Sequence, residues 1–198
     1  MDASCRVLSV GLGALAAIAI ASKAGAQTNI IPNGNMEMVS GSAISEWDLQ
    51  KPTDATGAIQ SVEMPVKGGK RALALQGQGL WMSAISSPTP INPANSYRAS
   101  AWIRTKKGHA RIQINYWAAE KWLGASDGLE RITKDEWQHV SVESDPNKFS
   151  GVTRLSVGIV SDGPNVEVYV DDVVMTTSLG EQAGRHWHNS SRLANLGF

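Results

Sequence analysis

Two stretches of the chain alternate strictly between apolar and polar positions. In residues 97–104, Tyr97, Ala99, Ala101 and Ile103 fall on one side, and Arg98, Ser100, Trp102 and Arg104 on the other. In residues 110–117, Ile112, Ile114 and Tyr116 share a side opposite Arg111, Gln113, Asn115 and Trp117. A period of two over this length is the pattern of a half-buried strand. Lys107-Gly108 lies between the two stretches, and glycine supplies the positive φ that a two-residue hairpin turn needs. The pattern predicts a hairpin in which Lys106 pairs with His109, Ile103 faces Ile112, Ala101 faces Ile114 and Ala99 faces Tyr116. The other face would then place Trp102 by Gln113, Ser100 by Asn115, Arg98 by Trp117 and Arg104 by Arg111.

Shorter apolar segments recur along the rest of the chain. Residues 58–64, 72–76, 80–85, 137–142, 155–160 and 166–175 each read as a strand. They are punctuated by Lys67-Gly68-Gly69-Lys70, by Gly77 and Gly79, and by Pro88, Pro90 and Pro93. No segment after the N-terminus carries a sustained helical period. Many short strands with Gly/Pro turns predict an all-β, two-sheet antiparallel β-sandwich. The expected organisation is a leader over residues 1–26, one domain over 27–176 and a polar C-terminal tail over 177–198.

The leader reads as a signal peptide. Arg6 precedes an apolar run over residues 7–21, and Ala24-Gly25-Ala26 offers a small-x-small cleavage site. The run is short for a membrane span, and no later run is longer, so no span is expected after cleavage. The expected location is secreted or periplasmic. The chain of 198 residues holds 18 basic and 18 acidic side chains. Cleavage removes Asp2, Arg6 and Lys23, which leaves 16 basic and 17 acidic residues. That balance argues against a nucleic-acid partner, which calls for a strongly basic surface. The single cysteine, Cys5, lies in the leader, so the exported domain is expected to rest on its core, or on a metal, rather than on disulfides.

The polar side of the predicted hairpin combines flat aromatic rings with planar hydrogen-bonding groups, a combination that suits a sugar ring. Trp102 and Trp117 are the candidate stacking platforms, with Gln113 and Asn115 as hydroxyl partners between them. Trp81 would flank the cleft and Trp122 would stand at its rim. Arg98, Arg104 and Arg111 would cluster on the same face. Two arginines directly opposed across a ladder repel, so this cluster calls either for an anionic sugar such as a uronate or for acidic neighbours from another strand that offset it.

An ordered set of motifs runs through the domain: Asn33-Gly34-Asn35-Met36-Glu37, Trp47, the segment from Tyr97 to Arg104, Trp137-Gln138-His139-Val140-Ser141-Val142, and Tyr169-Val170-Asp171-Asp172-Val173. Together they resemble the carbohydrate-binding modules of families 4, 9 and 22 over residues 28–176. Met36 stands where those modules usually have an aromatic residue, and no catalytic domain accompanies the match in these 198 residues. The resemblance implies a jelly-roll. It also implies a structural Ca2+ joining the N-terminal segment to the last strand, with Glu37 and one of Asp171 and Asp172 as ligands. Calcium takes carboxylate and carbonyl oxygens, and adjacent strand residues point to opposite faces, so one of the two aspartates should face the ion.

The expected function is non-catalytic binding of a polysaccharide or oligosaccharide by aromatic stacking plus Arg, Gln and Asn hydrogen bonds. No enzyme is expected, because a glycosidase needs two carboxylates across the scissile bond and the polar face carries none. A jelly-roll polysaccharide lyase or hydrolase is one alternative; Tyr116, its natural base, falls on the core side. A structural or adhesion domain that meets a protein partner through its tail is the other.

Overall fold

The two alternating stretches form one strand rather than a hairpin. A computed structural model of the chain describes residues 28–178 except Leu80 and Pro146; the leader and tail segments 1–27 and 179–198 lie outside the described residues. The described residues form eleven strands: β1 (Val39–Ser40), β2 (Ala43–Ile44), β3 (Trp47–Gln50), β4 (Thr56–Val62), β5 (Ala72–Gln78), β6 (Trp81–Ser86), β7 (Thr89–Pro90), β8 (Tyr97–Ala118), β9 (Lys121–Asp127), β10 (Gln138–Glu143) and β11 (Arg154–Thr177). The described residues contain no helix, hence none long and apolar enough to cross a membrane.

β8 and β11 run antiparallel side by side along almost their whole length, from Arg154 opposite Trp117 to Thr177 opposite Tyr97. Both bend at the same level. In β8 the bend is at Gly108, with φ of 77°, and in β11 the register slips between Asp162 and Glu167, around Gly163. A Cβ on Gly108 would approach Asp162 O and Asn165 O to 3.0 Å, so the corner is tight enough to select glycine. Beyond the bend each strand enters the opposite layer. The first layer has the order β10, β8, β11, β5, β4. The second uses the other halves of the long strands, in the order β9, β8, β11, β6, β3. β7 adds to β11 at its start, and β1 and β2 form a separate two-stranded sheet. Strands that switch sheets at bulges are a known way to close the corner of a sandwich.

The predicted all-β sandwich is therefore present, but the predicted register is not. Ile103 and Ile112 do face the core together, one from each layer. Tyr97, Ala99, Ala101, Ile103, Ala110, Ile112, Ile114 and Tyr116 are all buried in one apolar cluster with Leu73, Leu75, Leu155, Val157, Val168 and Val170. Inward positions are odd up to Thr105 and even from Ala110, and the bend absorbs the change of phase. A tight hairpin and a sheet-crossing bend impose the same local alternation. The partner decides between them: β11 runs along both halves of β8, and β10 and β9 take the other edge of the first and second half.

The N-terminal segment locks onto the end of β11. Gly34 O accepts from Val173 N at 2.7 Å, Asn29 Nδ2 donates to Val173 O, and Asn29 Oδ1 accepts from Met175 N. A Cβ on Gly34 would lie 2.0 Å from Val173 O. Gly34→Ala is expected to push the two segments apart and weaken that bond, lowering stability by about 3 kcal/mol from overpacking and the lost bond together. Urea unfolding at constant slope measures it; a midpoint equal to that of the parent chain would refute the clamp. Met36 and Trp47 are buried in the core beside this segment, and the Trp47 indole donates to Asn33 O.

Candidate functional site

The outer face of the second layer is concave. A cleft of about 500 Å3 crosses it, lined by Gln50 of β3, Trp81, Ser83 and Ile85 of β6, Arg111, Gln113 and Asn115 of β8, Trp122 of β9, and Val160 and Asp162 of β11. Trp81 and Trp122 are 39% and 55% exposed. Three strand spacings separate β9 from β6, so the two rings stand on opposite sides of a floor about 14 Å wide.

The floor is flat because Gly158 lies in its middle, paired with Gln113 on one side and Ile85 on the other. A Cβ there would come within 2.9 Å of both Asn115 Nδ2 and Gln113 Cγ. The amides of Gln113 and Asn115 lie over this gap, and Gln113 Nε2 donates to Asn115 Oδ1 at 2.8 Å. The same oxygen accepts from Trp122 Nε1 at 3.2 Å. Three buried side-chain polar atoms have no hydrogen-bond partner among the described residues: Ser83 Oγ, Asn115 Nδ2 and Thr105 Oγ1. Two of the three line this cleft. Burying a polar group without a partner costs about 1–3 kcal/mol, so such atoms mark places where a ligand can add a bond.

One end of the cleft is charged and internally balanced. Asp162 accepts from Arg111 Nη1 at 2.7 Å and from Arg131 Nη2 at 3.0 Å, and His109 Nε2 lies 3.4 Å away. Arg111 also donates to Asp127, and its hydrogen bonds to these two carboxylates outweigh its burial to hold its pKa above the usual arginine value.

The structure separates the residues that the sequence placed together. Gln113, Asn115, Arg111 and Trp81 meet in the cleft, with Trp122 as its second wall. Trp117 lies beside it, facing Trp122 in register, with its indole donating to Ser156 Oγ. Trp102, Arg98 and Arg104 lie on the outer face of the other layer, because the bend in β8 turns the polar sides of its halves away from each other. Lys67 Nζ sits 4.0 Å from the Trp102 ring centroid, and the His139 ring is tilted against the same indole with centroids 5.1 Å apart. Arg98 donates to Ser141 Oγ, and Arg104 to Asp135 Oδ1 at 2.7 Å. The arginine cluster does not form: Arg104 and Arg111 occupy different layers and each has its own carboxylates. On this first-layer face Glu167 accepts from Tyr169 and Lys106, which pull its pKa to about 2.

Gln50, Ser83, Gly158 and Asp162 were not singled out from the sequence. The alternation in residues 81–85 could have flagged Ser83, but nothing local brings five strands to one floor.

Two other concavities carry less. A pocket of about 230 Å3 at the end of the sandwich is lined by Tyr97, Tyr116, Phe149 and Leu155, and both tyrosine hydroxyls in it already have partners. A wider one of about 620 Å3, between Gln76, Gln78, Lys107 and Glu167, contains no aromatic ring.

Glu37, Asp171 and Asp172 converge on the loop of residues 67–71. Glu37 Oε1 accepts from Lys70 N at 2.7 Å and Arg71 N at 3.1 Å, the first of which is the main cause of its lowered pKa. Asp171 is fully buried. Its Oδ2 accepts from Lys67 N and Gly68 N, and its Oδ1 from Asp172 N. Burial raises its pKa against these bonds, and neighbouring Asp172 adds to the rise. The expected alternation of the two aspartates fails here. Asp172 has φ of 49° and the register slips after Asp171, so both carboxylates approach Gly68, Asp172 Oδ2 lying 2.9 Å from where a Cβ on Gly68 would be. Among the described residues no three His, Cys, Asp or Glu side chains are gathered closely enough to hold a metal ion by themselves.

The sequence matches no protein-family model and no curated protein. Solved structures do match the fold. The enzymatically active domain of tailspike protein 4 from bacteriophage CBA120 is 9% identical with a TM-score of 0.58, over 75% of this chain and 21% of that one. The CBM22-1–GH10 modules of Clostridium thermocellum endo-1,4-beta-D-xylanase 10B, complexed with xylohexaose, are 16% identical with a TM-score of 0.54, over 69% of this chain and 26% of that one. A family 16 carbohydrate-binding module is 18% identical with a TM-score of 0.54, over 75% of this chain and 99% of the module. The chain thus spans about a quarter or less of the first two proteins and nearly all of the third. The likeness is one of fold: a β-sandwich of the kind found in carbohydrate-binding modules.

Proposed function

We propose that the chain binds a polysaccharide or oligosaccharide, without chemical change to it, in the cleft between Trp81 and Trp122. The observation that carries this reading is the pair of buried, unpartnered polar atoms, Ser83 Oγ and Asn115 Nδ2, on a floor walled by two exposed indoles. Sugar rings present apolar C–H faces to aromatic planes and hydroxyls to such donors and acceptors. Gln113, Gln50 and Arg111 add polar contacts along the floor. Trp117 extends the aromatic wall at the Trp122 end. Trp102, Arg98 and Arg104 belong to the opposite face and do not enter this site. Arg111 is neutralised by Asp127 and Asp162, so the cleft suits a glycan without acidic groups. The carbohydrate-binding modules that share the fold support the same class of ligand: one was solved with β-1,4-galactotriose and another is described as a xylan-binding domain.

The non-catalytic reading rests on the acids in the cleft. Among the described residues Asp162 is the one carboxylate lining it, and it is engaged by two arginines, whereas glycoside hydrolysis uses a pair. Calorimetric titration with xylohexaose and with β-1,4-galactotriose, followed by a broader glycan array and a reducing-end assay, tests the proposal. Binding with a dissociation constant of roughly millimolar to micromolar and no released product is expected. Product release would make it an enzyme, and silence on every glycan would remove the reading. Export, to the periplasm or out of the cell, is part of the proposal and rests on the N-terminal pattern.

A structural Ca2+ is proposed beside the 67–71 loop, held by Glu37 and one of Asp171 and Asp172 together with backbone carbonyls, since the acidic side chains do not form a cluster by themselves. The fully buried Asp171 carboxylate meets backbone N–H groups and a second aspartate, but no cationic side chain among the described residues. The ion would supply the missing positive charge. Calcium at a hundredfold over its dissociation constant would add about 2.7 kcal/mol, so EDTA is expected to lower the thermal midpoint by several degrees, and excess calcium to restore it. An identical midpoint in EDTA and in calcium would exclude the ion.

A further inference from the structure

Asn115 lies at the centre of the cleft, yet it is only 1% exposed. Its Oδ1 accepts two bonds at once, from Gln113 Nε2 at 2.8 Å and from Trp122 Nε1 at 3.2 Å. The indole N–H donates only, so the bond to Trp122 also fixes which end of the Asn115 amide carries the oxygen. Trp122 is more than half exposed and sits on β9, the edge strand of its layer. Without an anchor its ring could sample several rotamers. The bond from its N–H to a buried amide holds the ring edge against the floor and leaves the face free. The Trp81 side chain, on the opposite wall, has no hydrogen bond or ring contact among the described residues. The two walls are therefore not equivalent.

We infer that Asn115 is a positioning residue that holds Trp122 as a preformed stacking wall and Gln113 as a preformed hydrogen-bonding group, while Trp81 adjusts to the ligand. The inference rests on the glycan-binding reading of this cleft and adds to it an order of importance among its residues. Gly158 is part of the device: a side chain there would displace the Asn115 and Gln113 amides, with contacts of 2.9 Å to each. A ring already held in place loses less freedom on binding than a mobile one, and ordering one side chain is enough to change affinity several-fold. Trp122 should thus contribute more than Trp81, although both can stack.

The test uses the full chain and two variants that cut the same bond from opposite ends. Trp122→Phe keeps a ring but removes the N–H. It lies on an exposed position, so folding is not at stake. Asn115→Leu removes the acceptor. The first measurement needs no ligand. The indole N–H resonance of Trp122, assigned by its disappearance in Trp122→Phe, should shift in Asn115→Leu or, should that variant fold poorly, in Gly158→Ala, while the other indole resonances stay in place. An unmoved Trp122 resonance would overturn the inference. The second measurement is affinity for xylohexaose. Asn115→Leu should weaken binding by about tenfold in the parent chain, since two side chains lose their anchor and the glycan loses the Nδ2 contact, and by clearly less in the Trp122→Phe background, where only the direct contact and the Gln113 anchor remain to be lost. Equal losses in the two backgrounds would also overturn it. If the parent chain binds no glycan at all, the function proposed for the cleft fails, and the ligand-free spectrum still decides the role of Asn115.

Discussion

Replacing Trp81 and Trp122 together with alanine is expected to weaken glycan binding by roughly 30- to 1,000-fold while leaving the fold intact. Each ring would bury one face against a sugar, which contributes about 1–2 kcal/mol by the area removed from water, or about 2–4 kcal/mol for the pair. Both rings are exposed and neither belongs to the core cluster, so the far-ultraviolet spectrum and thermal midpoint should hold. The informative comparison is Trp102→Ala. That ring lies on the other layer beneath Lys67, and its removal should leave affinity unchanged. Calorimetry on the parent chain and these two variants decides it. Loss of binding with Trp102→Ala and none with the double variant would move the site to the first layer.

The second large effect concerns stability. Asp171→Ala should lower the thermal midpoint by about 6–12 °C. The carboxylate is fully buried and accepts from three backbone N–H groups, those of Lys67, Gly68 and Asp172. Each left unpaired costs about 1 kcal/mol or more, so the total is about 3 kcal/mol, and in a domain of this size each kcal/mol moves the midpoint by about 2–4 °C. Glu37→Ala frees two such groups, those of Lys70 and Arg71, in a more open setting and should cost less. Scanning calorimetry in EDTA and in calcium separates the backbone role of Asp171 from any role in holding an ion. A midpoint that barely moves in either buffer would mean that the 67–71 loop does not depend on it.

Much of the fold was legible locally. Period-two alternation marked the strands, and the apolar sides of residues 97–103 and 112–116 are the sides that are buried. Trp47 and Met36, both within the ordered motifs, lie in the core. The site was only partly legible. Gln113, Asn115, Arg111 and Trp81 stand on polar sides of strands, and they do meet. Trp102 met the same criterion and stands on the opposite face. Alternation reports which side of a strand is buried; it carries no information on which layer the strand belongs to. The aspartate pair failed for a related reason: the left-handed Asp172 breaks the alternation that was used to separate the two carboxylates.

The sequence by itself determined the strand content, the inward set of side chains and the glycine at the corner, because these follow from the chain's own periodicity and from the φ that Gly108 must adopt. Whether that corner was a hairpin or a passage between layers was left to the tertiary structure. The 24 residues of β11 line both halves of β8 and bend with it, a non-local pairing that no window around Lys107-Gly108 contains. That single choice sends Trp102 to one face and Asn115 to the other, and it brings Ser83, Gly158 and Trp122 to the floor and wall of the cleft from strands far apart in the chain.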